Sequence, residues 1–483
     1  MANINAFAGS RVLVVGLGRE GTALAAYLAG HGLAVTVTDA QPASRLAAAA
    51  AFLQEAGVSL VLGEHPLSLL DEVDLLFVSP GVPLEIPFLQ AARARHLPLS
   101  TESRLFCHLC PAPIVAVTGS SGKTTTTTLV GKMMEADGRK TWVGGNIGQP
   151  LIAAVDQIQP IDTVVMELSS FQLEYFHPRL NEGIDVAPHA PPELVVLLAG
   201  WSPPISAILN ITPNHLDRHP TMKHYIQAKR GIVDYQAADG RAIMGLDNDL
   251  TRTIGAQLGQ RVRWFSLEAL LPGGAGLFND EVVLLDMDGT HQPVVHRRDI
   301  KLRGLHNLSN VLAACLLARE AGVSLEAMRQ VATTFTGVAH RLQLVREHNG
   351  VSYYNDSIST TPERLMAALR SFNEPIVLLV GGRDKHLPWE DAARLMLRSA
   401  RHIILFGEAM EIIVRAIERV RPGMLGVDPA LHRCVDLEQA VYLAAQVSRP
   451  GDVVLLSPGC ASFDQFHDFA ERGEKFGEWV AQL

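Results

Sequence analysis

The segment Pro113-Ile-Val-Ala-Val-Thr-Gly-Ser-Ser-Gly-Lys-Thr-Thr-Thr-Thr-Thr-Leu-Val-Gly-Lys-Met-Met-Glu-Ala136 opens with an apolar, β-branched run, Ile114 to Val117. It breaks at Gly119 and resumes with Leu129, Val130, Met133 and Met134 at helical spacing. The pattern predicts a strand, a glycine loop and a helix. Such a loop turns successive backbone N–H groups toward an anion, and the helix adds the positive end of its dipole. Gly119, Ser120, Ser121, Gly122, Lys123, Thr124 and Thr125 are therefore a candidate phosphate cradle. Lys123 is placed to reach the β- and γ-phosphates of a nucleotide, and Thr124 to put a hydroxyl on Mg²⁺. The full phosphate-loop pattern begins with a glycine, and that position holds Val117. The competing reading is a chance Gly-Lys-Thr in a surface turn, against which the flanking strand and helix weigh.

With 483 residues the chain is too long for one core, which predicts about two to four domains. Hydrophobic residues at 48% and charged residues at 19% suit a soluble globular enzyme. A net charge of −9 without any lysine and arginine block argues against nucleic acid as a partner. Acidic ligands must then be held by local sites, and small phosphorylated ligands are expected. No apolar stretch is long enough to span a bilayer, and Met1 to Ser10 lack a signal-peptide layout, so a cytoplasmic protein with no membrane partner is expected. The five cysteines, few and odd in number, agree. Cys107 and Cys110 form a C-x-x-C with no second pair or histidine cluster beside it, which reads as thiols near a domain junction rather than a zinc site.

Residues 11 to 18, Arg-Val-Leu-Val-Val-Gly-Leu-Gly, run from a buried-strand pattern into Gly16-x-Gly18-x-x-Gly21, followed by a helix expected from Thr22 to Gly30. A second strand, Ala34 to Thr38, ends on Asp39, the layout of a dinucleotide-binding βαβ unit. Taken alone it suggests NAD, yet the same turn and acid hold any diphosphate with a ribose. A further strand, Val73 to Val78, ends in Ser79-Pro-Gly81, where open α/β sheets place ligands. After the phosphate loop comes Gly144-Gly-Asn-Ile-Gly148, and then a strand, Thr163 to Met166, that delivers Glu167 as a candidate Mg²⁺ ligand. The competing role for Glu167 is a helix-capping acid. A strand from Ala207 to Ile211 precedes His215, and an expected helix, Met222 to Gln236, carries Lys229. By themselves these read as a structural histidine and a lysine on a solvated helix face. The Pro- and Ala-rich sequence between Phe176 and Pro204, which contains the apolar run Leu194 to Trp201, is expected to be an inserted loop or a small packing arm. Strands at Arg263 to Phe265 and Val282 to Leu285 predict a mixed sheet edge. An amphipathic helix is expected over Leu305 to Ala321, headed by Asn307 and Asn310, amides that cap a helix or face an adenine. The last third alternates strands and helices, which predicts another parallel sheet whose carboxyl-end loops offer Asp356, Lys385 and Ser462.

Three α/β units, the middle one with an ATP loop and the first with a diphosphate fingerprint, resemble the Mur ligases of peptidoglycan synthesis. The resemblance covers essentially the whole chain. It rests on Val117-Thr-Gly-Ser-Ser-Gly-Lys-Thr124, Gly144-Gly-Asn-Ile-Gly148, Glu167-Leu-Ser-Ser-Phe-Gln-Leu-Glu174, Asn214-His-Leu-Asp-Arg218, His306-Asn-x-x-Asn310, His340-Arg341, Asn355-Asp-Ser357 and Leu456-Ser-Pro-x-Cys-Ala-Ser-x-Asp-Gln-Phe466. The resemblance implies an α/β fold of three domains. These are a Rossmann-like UDP-sugar-binding domain at 1–101, a central phosphate-loop ATPase-like mixed sheet at 102–337, and a Rossmann-like amino-acid-binding domain at 338–483.

The same resemblance implies roles. Gly18, Asp39 and Ser79 lie near the uridine and phosphates, and Asn146 near the ligand phosphates. Asn307 and Asn310 lie near adenine, and Arg341 and Asp356 complete the ATP site. Thr360, Lys385, Ser462 and Phe469 serve the incoming amino acid. Lys123, Glu167, His215 and Lys229 form the catalytic set. Two Mg²⁺ ions are implied, one on Thr124 and Glu167 and one on His215 and Lys229, with Lys229 carbamylated. The implied reaction joins glutamate, as the D-enantiomer, to UDP-N-acetylmuramoyl-L-alanine through an acyl phosphate, consuming ATP, in a monomeric enzyme whose domains close around the substrates.

Two departures stand out. Ile358 occupies a position where many members carry a lysine near the amino acid, which leaves L-glutamate open as the substrate. The stretch from Phe176 to Pro204 is longer than the family pattern leads one to expect. Other readings are a neighbouring amide ligase such as a folylpolyglutamate synthase, an NAD-dependent dehydrogenase resting on Gly16 to Gly21 with Asp39, and a phosphate-loop switch without ligase chemistry.

Overall fold

The computed structural model describes residues 4–181, 192–215, 218–423 and 428–483, apart from the side chains of residues 179, 180 and 423. Residues 182–191 of the long segment, and Leu216 and Asp217 of the Asn214 to Arg218 motif, lie outside the described residues. The chain divides into two compact units, Met1–Asp299 with Leu308–Thr333, and Ile300–Asn307 with Thr334–Leu483.

The first unit holds two sheets. One has five parallel strands in the order Ser59–Leu62, Ala34–Asp39, Arg11–Val15, Leu75–Val78 and Leu99–Ser100. Val12 to Val15 are all buried, as an apolar strand covered on both faces requires. The second sheet has nine strands, and in it Ile114–Thr118 is flanked by Thr163–Glu167 and Ile205–Ile208. It is parallel from Thr141–Gly145 as far as Ala275–Phe278. It then turns antiparallel through Glu281–Leu285 and His291–His296, giving the mixed edge expected from the sequence. Hydrophobic residues of both sheets share one core, including Val14, Phe77, Ala116 and Met166.

Several elements differ from the sequence reading for physical reasons. The first helix starts at Arg19, not Thr22, because extended Gly18 already serves as its N-cap. The helix carrying Lys229 ends at Arg230 with Gly231 as its cap, six residues before Gln236. Leu305–Glu320 is not amphipathic: Val311 to Ala318 are all buried, so the helix is packed on every side. The run Leu194 to Trp201 is a packing arm, since Pro192–Leu198 is a helix that sends Leu194, Leu197 and Leu198 into the core.

The second unit holds a six-stranded sheet in the order Gln343–His348, Val351–Asn355, Val453–Gly459, Ile376–Gly381, Ala400–Phe406 and Ala430–Arg433. It is not wholly parallel. Gln343–His348 pairs antiparallel with Val351–Asn355 through a tight turn at Asn349 and Gly350, both at positive φ. The remaining pairs are parallel, which sets the loops after Val351–Asn355, Ile376–Gly381 and Val453–Gly459 at one edge. Among the described residues no helix is long and apolar enough to cross a membrane.

Candidate functional site

The phosphate cradle forms where the sequence places it, between Ile114–Thr118 and the helix Lys123–Ala136. Gly122 caps that helix at φ +81°, a conformation that favours glycine, and a Cβ there would overlap Asn310 Oδ1. The loop is shaped from the neighbouring strand end. Asn210 accepts from the Ser121 amide through Oδ1 at 2.9 Å and from the Ser120 amide through its carbonyl at 2.9 Å. Ser120 Oγ donates to Thr212 O at 3.0 Å and lies 2.9 Å from the Tyr225 hydroxyl. Thr124 is half-buried in the first turn, and Thr125 is buried behind it. Lys123 Nζ folds back to Gly119 O at 3.1 Å.

Lys229 is not on a solvated face. It is 1% exposed, and its Nζ donates to Gly119 O at 2.9 Å and Thr118 Oγ1 at 3.3 Å. Burial, reinforced by the positive charge of Lys123, pushes its amine well below the usual lysine range, with Glu167 pulling the other way. Glu167 ends its strand at 2% exposure and does not cap a helix; Ser169 caps the helix that follows. Asn146 Nδ2 donates to Glu167 Oε1 at 2.8 Å, while buried Glu167 Oε2 has no hydrogen-bond partner. A buried, unsatisfied carboxylate oxygen is the kind of donor that a divalent cation completes. His215 adopts φ +54° and packs edge-on against Phe171, with ring centroids 5.0 Å apart. Among the described residues no group of three or more His, Cys, Asp and Glu is placed to hold a metal. Cys107 and Cys110 are free thiols, and burial raises both.

In the same unit, Gly16, Gly18, Asp39, Ser79 and Asn146 line a cavity of about 800 Å³ with Arg19, His65 and Phe171. Asp39 pins the glycine turn, accepting from the amides of Leu17 at 2.6 Å and Gln41 at 2.8 Å. Ser79 Oγ donates to Gly16 O at 2.8 Å. A Cβ on Gly21 would overlap that same carbonyl, so helix and strand approach only because residue 21 is glycine. Two contributors were missed in the sequence. Arg218 donates to the carbonyls of Pro80, Gly81 and Val82 at 3.0, 3.0 and 2.5 Å and lies over the Phe171 ring. His219, 1% exposed, stacks on Phe171 and sits between Ser170 Oγ at 2.9 Å and Glu174 at 3.3 Å. Only Arg218 lay in a quoted motif, and neither carried a spacing signal of its own.

In the second unit, Asp356 is buried and accepts from the Leu342 amide at 3.2 Å, the Ser457 hydroxyl at 2.9 Å and the Ser359 hydroxyl. Burial raises its carboxyl to about 6. Arg341 follows His340, which sits at φ +63° in the connector. Lys385 Nζ donates to Thr360 Oγ1 at 3.1 Å, bringing two amino-acid candidates together. Ser462 is buried, and half-exposed Phe469 opens the last helix with its ring against His340. Buried Arg472, also missed, braces these loops through Ser357 and the carbonyls of Cys460 and Ala461. Asn307 Nδ2 donates to Arg303 O at 2.8 Å. Asn310 belongs to the first unit, at the phosphate cradle.

A phosphate loop beside a buried acid and a buried lysine, with a diphosphate-type fold before it and a third α/β sheet after it, suits an enzyme that transfers a phosphoryl group from a nucleotide. The chain belongs to the Mur ligase family: residues 10–100 match the MurD-like N-terminal domain, 117–318 the Mur ligase middle domain and 340–460 the glutamate ligase domain. Two curated relatives, from Symbiobacterium thermophilum and Acetivibrio thermocellus, are both named UDP-N-acetylmuramoylalanine–D-glutamate ligase. The first is 41% identical over 98% of each chain, and the second 38% identical over 98% of this chain and 96% of its own. Among solved structures, UDP-N-acetylmuramate–alanine ligase from Thermotoga maritima shares the fold at a TM-score of 0.56 and 17% identity, covering 98% of this chain and 99% of its own. A UDP-N-acetylmuramoyl-L-alanyl-D-glutamate–2,6-diaminopimelate ligase does so at 0.55 and 17%, over 93% of each.

Proposed function

We propose that this chain joins D-glutamate to UDP-N-acetylmuramoyl-L-alanine at the expense of ATP, in the cytoplasm and as a monomer. The observation that carries the chemistry is the convergence of Lys123 and Lys229 on Gly119 O beside the unsatisfied oxygen of Glu167. The choice of substrates is supported by the names of the relatives, which span nearly the whole chain. The division into 1–101 for the sugar nucleotide, 102–337 for ATP and 338–483 for the amino acid is part of this reading, and the presence of three separate sheets supports it.

A free carboxylate is a poor electrophile. Transfer of the γ-phosphoryl group of ATP to the acceptor carboxylate gives an acyl phosphate and ADP. The amine of glutamate, having lost a proton, attacks the acyl carbon, and the tetrahedral adduct expels phosphate to leave the amide. Within the loop Gly119 to Thr125, whose Ser120 and Ser121 amides are held by Asn210, the amides of Gly122 to Thr125 at the helix start are assigned to orient the phosphates, and Lys123 to neutralise them. Gly18, Asp39, Ser79 and Asn146 hold the sugar nucleotide, with Asn307, Asn310, Arg341 and Asp356 assigned to ATP. Thr360, Lys385, Ser462 and Phe469 are assigned to the amino acid. Thr124 and Glu167 would hold one Mg²⁺ and His215 with Lys229 a second, and such ions would supply positive charge to screen the phosphoryl oxygens. Burial lowers the Lys229 amine well below the usual lysine range, which favours its nucleophilic neutral form. Attack of its nitrogen on CO₂, with loss of a proton to water, gives a carbamate that replaces a cation with a ligand oxygen.

The test is phosphate release from ATP and Mg²⁺ with UDP-N-acetylmuramoyl-L-alanine, comparing D-glutamate, L-glutamate and no amino acid. Release that needs both the acceptor and D-glutamate is expected. Release with L-glutamate instead changes the product, and release without the acceptor overturns the ligase reading.

A further inference from the structure

In the second unit the loop after Val351–Asn355 folds back on itself. The Thr360 amide donates to Ile358 O at 2.9 Å, and the Ile358 amide to His340 O at 3.1 Å. The Gly459 amide donates to Ser359 O at 2.8 Å, which ties residues 358–360 to the end of Val453–Gly459, just before Ser462. Two exposed cations meet this loop. Lys385 Nζ donates to Thr360 Oγ1 at 3.1 Å. Arg364, in the first turn of the helix Pro362–Leu369, reaches back so that Nη1 donates to Ile358 O at 3.2 Å.

Neighbouring cations are already committed. Arg383 makes a two-pronged pair with Glu408 at 2.9 and 3.0 Å, and Arg472 is enclosed by the Ser357, Cys460 and Ala461 carbonyls. Arg364 and Lys385 have no carboxylate partner among the described residues, and most of the Arg364 donor fork is unspent. The residue whose carbonyl Arg364 grips, Ile358, is apolar and offers no charge of its own.

An amino acid with two carboxylates needs two cations if it is to be told from a neutral analogue, because an unpaired charge in a site costs far more than a lost contact. Resting on the ligase reading above, we propose that Arg364 is the second cation of the amino-acid site. It grips one carboxylate of the incoming glutamate in its planar fork while Lys385 meets the other. Arg364 thereby sets the enzyme's preference for a dicarboxylate nucleophile.

The experiment measures phosphate release by the full-length protein, varying ATP, UDP-N-acetylmuramoyl-L-alanine and D-glutamate, or its neutral isostere D-glutamine, each in turn with the others saturating. In Arg364→Ala the KM for D-glutamate rises about 10- to 100-fold, the size of a lost charge-assisted pair, while those for ATP and acceptor stay put. The preference for D-glutamate over D-glutamine falls by the same factor. Arg364→Lys keeps part of it. The double variant Arg364→Ala with Ile358→Lys, which returns a cation to the same loop, recovers affinity for D-glutamate. A glutamate KM within about twofold of wild type, or equal rises for all three substrates, overturns the proposal. If the wild-type protein itself releases no phosphate with D-glutamate, the ligase reading fails instead.

Discussion

Lys123 and Lys229 donate to one acceptor, the carbonyl oxygen of Gly119, at 3.1 and 2.9 Å. Burial, reinforced by the positive charge of Lys123, lowers the Lys229 amine well below the usual lysine range, with Glu167 opposing. The Lys229 amine thus gives up a proton more readily than an exposed lysine, and the neighbouring Lys123 charge favours an anion formed on its nitrogen. Lys229→Ala is expected to lower phosphate release by about 100-fold or more. A short carboxylate such as acetate, added at high concentration, is expected to restore part of it by filling the place of the proposed carbamate. Wild-type rates in the variant, or a loss that acetate leaves untouched, would remove the carbamate from the mechanism.

Asn146 holds Glu167 Oε1 at 2.8 Å and leaves Oε2 without a partner, so the amide orients the acid without consuming its second oxygen. Asn146→Ala is expected to cost about 10- to 100-fold in activity, as loss of a ligand-orienting partner does. The Mg²⁺ concentration giving half-maximal rate should rise, and a Mg²⁺ titration at fixed ATP separates this from a simple loss of fold. An unchanged Mg²⁺ requirement would mean that Glu167 is oriented by other contacts.

Gly122→Ala tests the cradle itself. At φ +81° a side chain strains the backbone by about 1–3 kcal/mol, and here its Cβ would also displace Asn310 Oδ1. The KM for ATP is expected to rise about tenfold or more. The KM for glutamate should not move, because the affected contacts all lie around the phosphate loop.

Most of the architecture was legible because its signals are local. The phosphate loop, the glycine turn with Asp39 and the alternating strands of the last third each follow from apolar runs ending in glycine. What escaped needed partners distant in sequence. Lys229 looks like a solvated lysine until its helix packs over Gly119, more than a hundred residues earlier. Arg218 shows its purpose only when Pro80, Gly81 and Val82 present three carbonyls to it. The antiparallel strand Gln343–His348 was missed because its residues are mostly half-buried and alternate weakly. Leu305–Glu320 was misread as amphipathic because sequence cannot show that both its faces are covered.

Gln172 links two acids in the first unit. Its Nε2 donates to Glu20 Oε1 at 3.0 Å and to Ser103 Oγ at 2.9 Å, and Ser103 Oγ in turn donates to Glu102. Burial and mutual repulsion raise Glu20 far above its ordinary 4.5, with Arg19 and Gln172 opposing, and burial raises Glu102 as well. A raised acid means that the folded state keeps a proton which the unfolded chain has already lost. Its contribution is thus fully present below the ordinary carboxylate value and is lost as pH climbs through the raised one. Glu20→Gln keeps an oxygen for Gln172 and has no charge to bury. The variant is expected to melt with wild type at about pH 4 and a few degrees above it at about pH 9, with a shallower dependence between. Calorimetric melting across that range decides the matter: parallel curves for the two proteins would show that Glu20 ionises as an ordinary carboxylate.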